Sequence, residues 1–284
     1  MGKKIAVIND LSGFGRCSLT AAISVISVMG VQPCPLPTAV LSAQTGYPSY
    51  YCDDYTEKME FFRREWEKMG AAFDGIYTGF VANEAQIGQI FRFLDSFHRK
   101  GTFLLVDPVM GDDGRVYAMF TPGLLKEMKT LAVKADIITP NLTELCMLAD
   151  EDFEDIRKAA DTGSLMKKIE KLGRHMLARG PEMVVVTGIH FLDETDRTRK
   201  IGNMLVTKEG CRVSAFPYIG GSFSGTGDLF ASVIAGGMAR GDDLFDTMEL
   251  AGAFIERAME DSVKEGVERN DGVNYEKYLG MLSK

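Results

Sequence analysis

The residues best placed to do chemistry in this sequence lie in one run, Gly220-Gly221-Ser222-Phe223-Ser224-Gly225-Thr226-Gly227-Asp228. Glycine lets a backbone take up left-handed φ and approach a ligand closely. The stretch that follows, 229–240, contains no proline. Read as a helix, it places the glycine run at its N-terminus, where N–H groups and the macrodipole favour an anion. A single carboxylate, Asp228, falls in that positive spot. A lone acid beside an anion site repels the ligand and therefore calls for a chemical explanation. The plainer reading of the same run is a tight turn with Asp228 as the helix N-cap.

Other polar residues recur at one kind of place. Residues 5–8 form a short β-branched run that ends at Asn9-Asp10 and leads into Leu11-Ser12-Gly13-Phe14-Gly15. Residues 103–106 run into Asp107-Pro108-Val109-Met110-Gly111-Asp112, and 137–138 into Thr139-Pro140-Asn141-Leu142-Thr143-Glu144. Residues 183–186 close on Thr187-Gly188. Each is a candidate strand followed by a polar cluster, and open α/β sheets bind ligands beyond the carboxyl ends of their strands. Any one cluster reads as an ordinary turn; all of them beside the Gly225 loop read as a binding cleft.

The elements that must position these residues follow from periodicity. Helices are predicted over 18–29, by Met59, Phe62, Trp66 and Met69 (all taken as core), by Ile87, Ile90, Leu94 and Phe97, by Leu165, Ile169, Leu172 and Met176, and in a long final segment by Leu244, Met248, Ala251, Ile255 and Ala258. Pro33, Pro35 and Pro37 assign 31–42 to an edge or a loop. Gln44-Thr45-Gly46-Tyr47-Pro48 is a polar turn, 193–200 a charged surface loop, and 203–207 with 211–215 a hairpin. Strands alternating with helices predict one α/β domain over 1–284, with a mainly parallel sheet covered on both faces.

Composition narrows the function. Lys and Arg total 32 against 40 Asp and Glu, a net charge of −8, which argues against nucleic acid or an anionic membrane as the main partner. Backbone amides can still bind phosphate without net basic charge. Neither G-x-G-x-x-G after the first strand nor a Walker A pattern occurs, against a dinucleotide fold and a P-loop NTPase. Five scattered cysteines without CxxC, and only His98, His175 and His190, give no zinc spacing and fit reduced thiols in a cytoplasmic enzyme. The N-terminus enters a strand-like run rather than a signal segment, and no apolar stretch reaches membrane-spanning length.

Taken in order, the Asp107 to Asp112 run, Thr139-Pro140-Asn141-x-x-Glu144 and Gly225-Thr226-Gly227-Asp228-Leu229-Phe230 resemble the ribokinase-like superfamily, and within it the vitamin B6 kinases, over nearly the whole chain. The resemblance implies a three-layer α/β/α fold with a minimal lid and ATP-dependent phosphorylation of the 5′-hydroxymethyl group of pyridoxal, pyridoxine or pyridoxamine. It implies an anion hole at Gly225, Thr226 and Gly227, with Asp228 as the base. Asp107, Glu144 and Asp112 correspond to positions around Mg²⁺, and Asp107, Thr139, Asn141, Glu144, Thr187, Gly188 and Tyr117 to ATP contacts. Some members also use K⁺, and a cytoplasmic homodimer is the family expectation. For the vitamin, the matching positions are Asp10, Ser12, Thr45, Phe80 and Asp228. Asp10 stands where many pyridoxal kinases have Ser, and Phe80 where they have Tyr, so a carboxylate able to pair with an amine or ring nitrogen is expected to favour pyridoxamine or pyridoxine. The rival on the same scaffold is a hydroxymethylpyrimidine kinase of thiamine synthesis, in which Cys is common at the position of Asp228. A non-catalytic nucleotide- or B6-binding protein is the alternative of another class.

Overall fold

The β-branched start of the chain forms a longer strand than its apolar core suggests. In the computed structural model, which describes residues 2–283, β1 spans Lys4–Ser12, with Ile5, Ala6, Val7 and Ile8 fully buried. A strand apolar on both faces needs cover on both sides, as in a parallel sheet. The chain continues through α1 (Ser18–Val28), β2 (Gln32–Leu41), β3 (Cys52–Asp54), α2 (Thr56–Lys68), β4 (Gly75–Thr78), α3 (Glu84–Phe97) and β5 (Phe103–Val106). The strand order here is β5-β4-β1-β2-β3, parallel except for β3. Strand β1 lies between β2 and β4, so successive connections leave it in opposite directions. That switch point opens a crevice at its carboxyl end, and a register shift between Asn9 and Leu11 falls at this end. Bulges of this kind re-aim side chains beside active sites.

One sequence expectation is resolved here and another needs correction. The proline run, assigned to an edge or a loop, is an edge strand, β2. Gln32 N–H donates to Lys3 C=O at 2.9 Å, so by strand alternation the nitrogens of Pro33, Pro35 and Pro37 turn to the other side. Strand β3 pairs only with Ala39, Val40 and Leu41, which leaves the proline side an open edge where no donor is required. In α2, Met59 is buried, Phe62 and Trp66 are half-buried, and Met69 is 74 % exposed at the helix end. Trp66 meets Phe62 and Phe93 edge to face and Phe73 at a tilt, so the aromatic stripe reaches the core through a few rings rather than along its length.

The chain forms two compact units, one holding the residues up to Asp107 and again from Ile219, the other holding Pro108–Tyr218. The second contains the hairpin β6 (Gly111–Asp112) and β7 (Arg115–Val116), then α4 (Pro122–Ala132), β8 (Ile137–Ile138), α5 (Leu142–Ala149), α6 (Phe153–Arg157), α7 (Thr162–Leu177), β9 (Met183–Leu192), β10 (Arg199–Val206) and β11 (Cys211–Pro217). Strands β8 and β9 are parallel, while β9, β10 and β11 form an antiparallel meander. Strand β9 does not stop at Val186: it runs through Thr187 and Gly188, and Arg199 and Lys200 belong to β10 rather than to the charged loop.

The first unit resumes with α8 (Thr226–Arg240) and α9 (Leu244–Lys264), followed by short 3-10 turns at Arg269–Asp271 and Glu276–Leu282. Helix α8 is buried along most of its length, as befits a helix apolar all round. It packs on α1 and α9, while α2 packs on α3. The architecture is the predicted α/β class, a mostly parallel sheet flanked by helices. Among the described residues, no helix is long and apolar enough to cross a membrane.

Candidate active site

Helix α8 begins where the glycine run predicts. Its N-cap is Gly225, in the left-handed region at φ 85°, and no side chain caps it. A Cβ at this position would collide with the Arg16 carbonyl, so glycine is required both by conformation and by space. Asp228 is therefore not the N-cap. It lies in the first turn, where the N–H groups of the opening residues have no partner in the helix.

The Asp228 carboxylate is held by groups on neighbouring elements. Asn9 Nδ2 donates to its Oδ1 at 3.0 Å, and the Ser18 N–H also favours its charged form. Ser18 has φ 53° at the start of α1. Burial outweighs these donors and Asp10 adds like-charge repulsion, so the Asp228 carboxyl is pushed up to about 6. Such a carboxylate is ionised near neutral pH and still basic enough to take a proton.

Asn9 is the residue that sequence reasoning missed. It is fully buried, and its Oδ1 accepts from Phe80 N–H at 2.8 Å and Asp10 N–H at 3.0 Å while Nδ2 reaches Asp228. One amide thus ties together β1, the loop after β4 and α8. The available signal was a lone amide closing an apolar strand, where an unpartnered polar group would be costly. Asp10 and Ser12 are buried on the same strand, with Ser12 Oγ donating to Asp10 Oδ2 at 2.7 Å. Burial pushes the Asp10 carboxyl up, against hydrogen bonds from Ser18 and Ser12. Phe80 is half-buried, and Thr45 is exposed in the turn after β2. Asp107 follows β5, is 6 % exposed, and its N–H donates to Thr78 C=O at 2.9 Å. The buried Tyr77 phenol is pushed well up, first by burial and then by the charges of Asp228, Asp107 and Asp10.

In the second unit, Asn141 and Glu144 form a capping box at α5. Asn141 Oδ1 accepts from Glu144 N–H at 3.0 Å, and Glu144 Oε2 accepts from Asn141 N–H at 2.8 Å. Glu144 Oε1 also accepts from Met110 N–H at 3.1 Å, and Asn141 Nδ2 donates to Gly111 C=O at 2.8 Å. The buried Glu144 thereby fixes Met110, the residue that leads into the hairpin. Thr187 N–H donates to Pro140 C=O at 2.9 Å, and Gly188 N–H to Asn203 Oδ1 at 3.3 Å. This joins Thr139, Asn141, Glu144, Thr187 and Gly188 in one neighbourhood. Asp112, in the hairpin, and Tyr117, just after it, are exposed, the Asp112 carboxylate accepting from its neighbour Asp113 N–H. A cavity of about 480 Å³ between the hairpin and α6, lined by Arg115, Thr143, Phe153 and Arg157, contains none of the expected residues.

A mostly parallel sheet flanked by helices, with a raised carboxyl in the first turn of an uncapped helix, is the arrangement of the ribokinase-like superfamily of small-molecule kinases. The chain belongs to the phosphomethylpyrimidine kinase family, whose model matches residues 15–273. A Bacteroides thetaiotaomicron protein classed with the phosphomethylpyrimidine kinases and crystallised with pyridoxal is 38 % identical, with a TM-score of 0.88 over 99 % of this chain and 96 % of that one. The pyridoxal kinase from Lactobacillus plantarum is 26 % identical, with a TM-score of 0.85 over 99 % and 96 %. The pyridoxal kinase PdxY of Rubrobacter xylanophilus is 26 % identical over 93 % of this chain and 89 % of its own.

Proposed function

We propose that this chain is a pyridoxal kinase that transfers the γ-phosphoryl group of ATP to the 5′-hydroxymethyl group of a B6 vitamer, in salvage of the vitamin. The observation that carries this reading is the Asp228 carboxyl, held by Asn9 in the first turn of a helix that no side chain caps. In the reaction, Asp228 takes the proton of the substrate hydroxyl as its oxygen attacks phosphorus. The amides of Gly225, Thr226 and Gly227 hydrogen-bond the charge that builds on the transferring group. Asp10, Ser12, Thr45 and Phe80 orient the ring so that the hydroxyl faces Asp228. Thr139, Asn141, Thr187, Gly188 and Tyr117 hold the nucleotide. Residues 1–284 act as one kinase domain, in the cytoplasm and as a homodimer.

The residues also suit Mg²⁺. Asp107 and Glu144 are buried hard-oxygen donors, the ligand type that Mg²⁺ takes together with several waters and the substrate phosphates. By the family resemblance Asp107 is the carboxylate that would hold it, and when bound it neutralises phosphate charge. A K⁺ requirement is tested by a monovalent-ion titration.

Two substrates compete for this site. The family model carries the name of a pyrimidine substrate, whereas Asp at position 228 favours the B6 branch. An ADP-release assay with pyridoxal, pyridoxine, pyridoxamine and hydroxymethylpyrimidine separates them. The expected result is the highest kcat/KM with pyridoxine or pyridoxamine, because Asp10 offers a carboxylate to a ring nitrogen or amine. A clear preference for pyridoxal removes that role from Asp10, and a preference for the pyrimidine overturns the B6 assignment.

A further inference from the structure

The polar turn after β2 has no part in the mechanism above except through Thr45, yet its neighbour Gln44 is among the most connected side chains of the first unit. Gln44 N–H donates to Phe14 C=O at 2.9 Å, and its Oε1 accepts from Gly46 N–H at 2.7 Å. Its Nε2 donates to Asn270 C=O at 3.1 Å and to Ser224 Oγ at 3.3 Å. Four segments of the chain meet at this residue, the turn after β1 through its backbone N–H and the turn after β2, the glycine loop and the 3-10 turn at Arg269–Asp271 through its side-chain amide.

The surrounding bonds close the same knot. Ser224 N–H donates to Arg269 C=O at 3.0 Å, Arg16 N–H to Asp271 C=O at 3.1 Å, and Asn270 Nδ2 to Gly46 C=O at 2.7 Å. Tyr47 Oη donates to the Asp271 carboxylate. The packing leaves no slack: a Cβ on Gly15 would lie 2.7 Å from Gln44 Cγ, and one on Gly46 would lie 2.6 Å from Asn270 Oδ1. Ser224 immediately precedes the N-cap Gly225, and Thr45 immediately follows Gln44.

We infer that Gln44 is a positioning residue: its amide locks the substrate-side turn to the glycine loop, with the 269–272 segment as the bracket that holds both. The inference rests on the kinase reading of that loop. A shift of the Gln44 amide moves the anion-binding amides relative to the turn that carries Thr45, and misplacement of about 1 Å can cost on the order of a hundredfold in rate.

Gln44→Glu is the discriminating variant. It retains the acceptor for Gly46 N–H but puts a carboxylate oxygen where the donor to Asn270 C=O and Ser224 stood. In the full chain with ATP and pyridoxine, kcat is expected to fall about tenfold or more with KM for ATP held within about twofold, the pattern of an interaction felt in the transition state. Gln44→Ala should lose as much. Gln44→Glu/Ser224→Ala should be no worse than Gln44→Glu alone, because partners in one network are not additive. Amide hydrogen exchange over 222–228 should quicken in Gln44→Glu, a readout that needs no turnover and separates this inference from the kinase assignment. Wild-type kcat in Gln44→Glu, a loss confined to KM for the alcohol, or unchanged exchange in the glycine loop would each overturn the positioning role.

Discussion

At the scale of single residues, Asp228 and Asn9 act as a pair. Removing the carboxylate removes the proton acceptor, so Asp228→Asn is expected to lower kcat by about 10²–10⁴ with little change in ATP affinity. Near-normal turnover would take the base role away from Asp228. Because burial holds its carboxyl up to about 6, wild-type kcat/KM for the alcohol should fall about tenfold per pH unit below that value and level off above it. Asn9 sets where that limb lies. Its Nδ2 stabilises the charged form, so Asn9→Ala should move the acid limb to higher pH and restore part of the lost rate in alkaline buffer. The same change strands the Phe80 and Asp10 N–H donors, at about 1–3 kcal/mol each where they stay dry. A lower Tm with an unshifted pH profile would make Asn9 structural only.

At the scale of elements, the two glycines that flank Thr226 have opposite needs. Gly225 is left-handed and closed in by the Arg16 carbonyl, whereas nothing lies within 4 Å of a Cβ built on Gly227. Gly225→Ala should therefore destabilise the chain severely. Gly227→Ala should hold or raise Tm, since alanine is worth about 1 kcal/mol over glycine inside a helix. If an anion docks on these amides, the added methyl group obstructs its approach and kcat falls while stability does not. Thermal unfolding beside turnover separates the two effects, and a fully active Gly227→Ala would count against the anion hole.

This same region shows what the sequence made legible. Glycine density followed by an apolar run located α8 and its N-terminus because both signals are local. Asp228 as a cap was a misreading, since the helix starts at the left-handed Gly225, a position that the Arg16 carbonyl from far along the chain reserves for glycine. The proline run was legible as an edge or a loop, and choosing between them needed distant partners. Its alternation is compatible with a strand whose bare side faces an open edge, and which side is open depends on where β3 pairs. Asn9 and Gln44 were present as polar residues in the right places. Their partners, up to 226 positions away, carry no signal in a single sequence.

At the scale of the whole molecule, two like charges at the end of β1 are expected to set a pH dependence of stability. The carboxyls of both Asp228 and Asp10 are raised above the ordinary value of 3.8, first of all by burial. A raised carboxyl pKa means that the folded chain keeps a proton which the unfolded chain has released. Stability from such a group is fully present below about pH 4 and is lost as pH rises through about 6. For Asp228 the loss is at most about 3 kcal/mol, and less where solvent reaches its half-buried rim. Asp228→Asn carries no charge to desolvate, so its Tm relative to wild type should rise by several degrees between pH 4 and pH 8. Asp10→Asn should act in the same direction. The gain arises at the position where turnover is expected to collapse, as it does where an active site holds a charge that folding alone would exclude. A Tm difference that stays flat across this window would mean that the Asp228 carboxyl is solvated in the folded chain, and the elevated basicity assigned to it would go with that result.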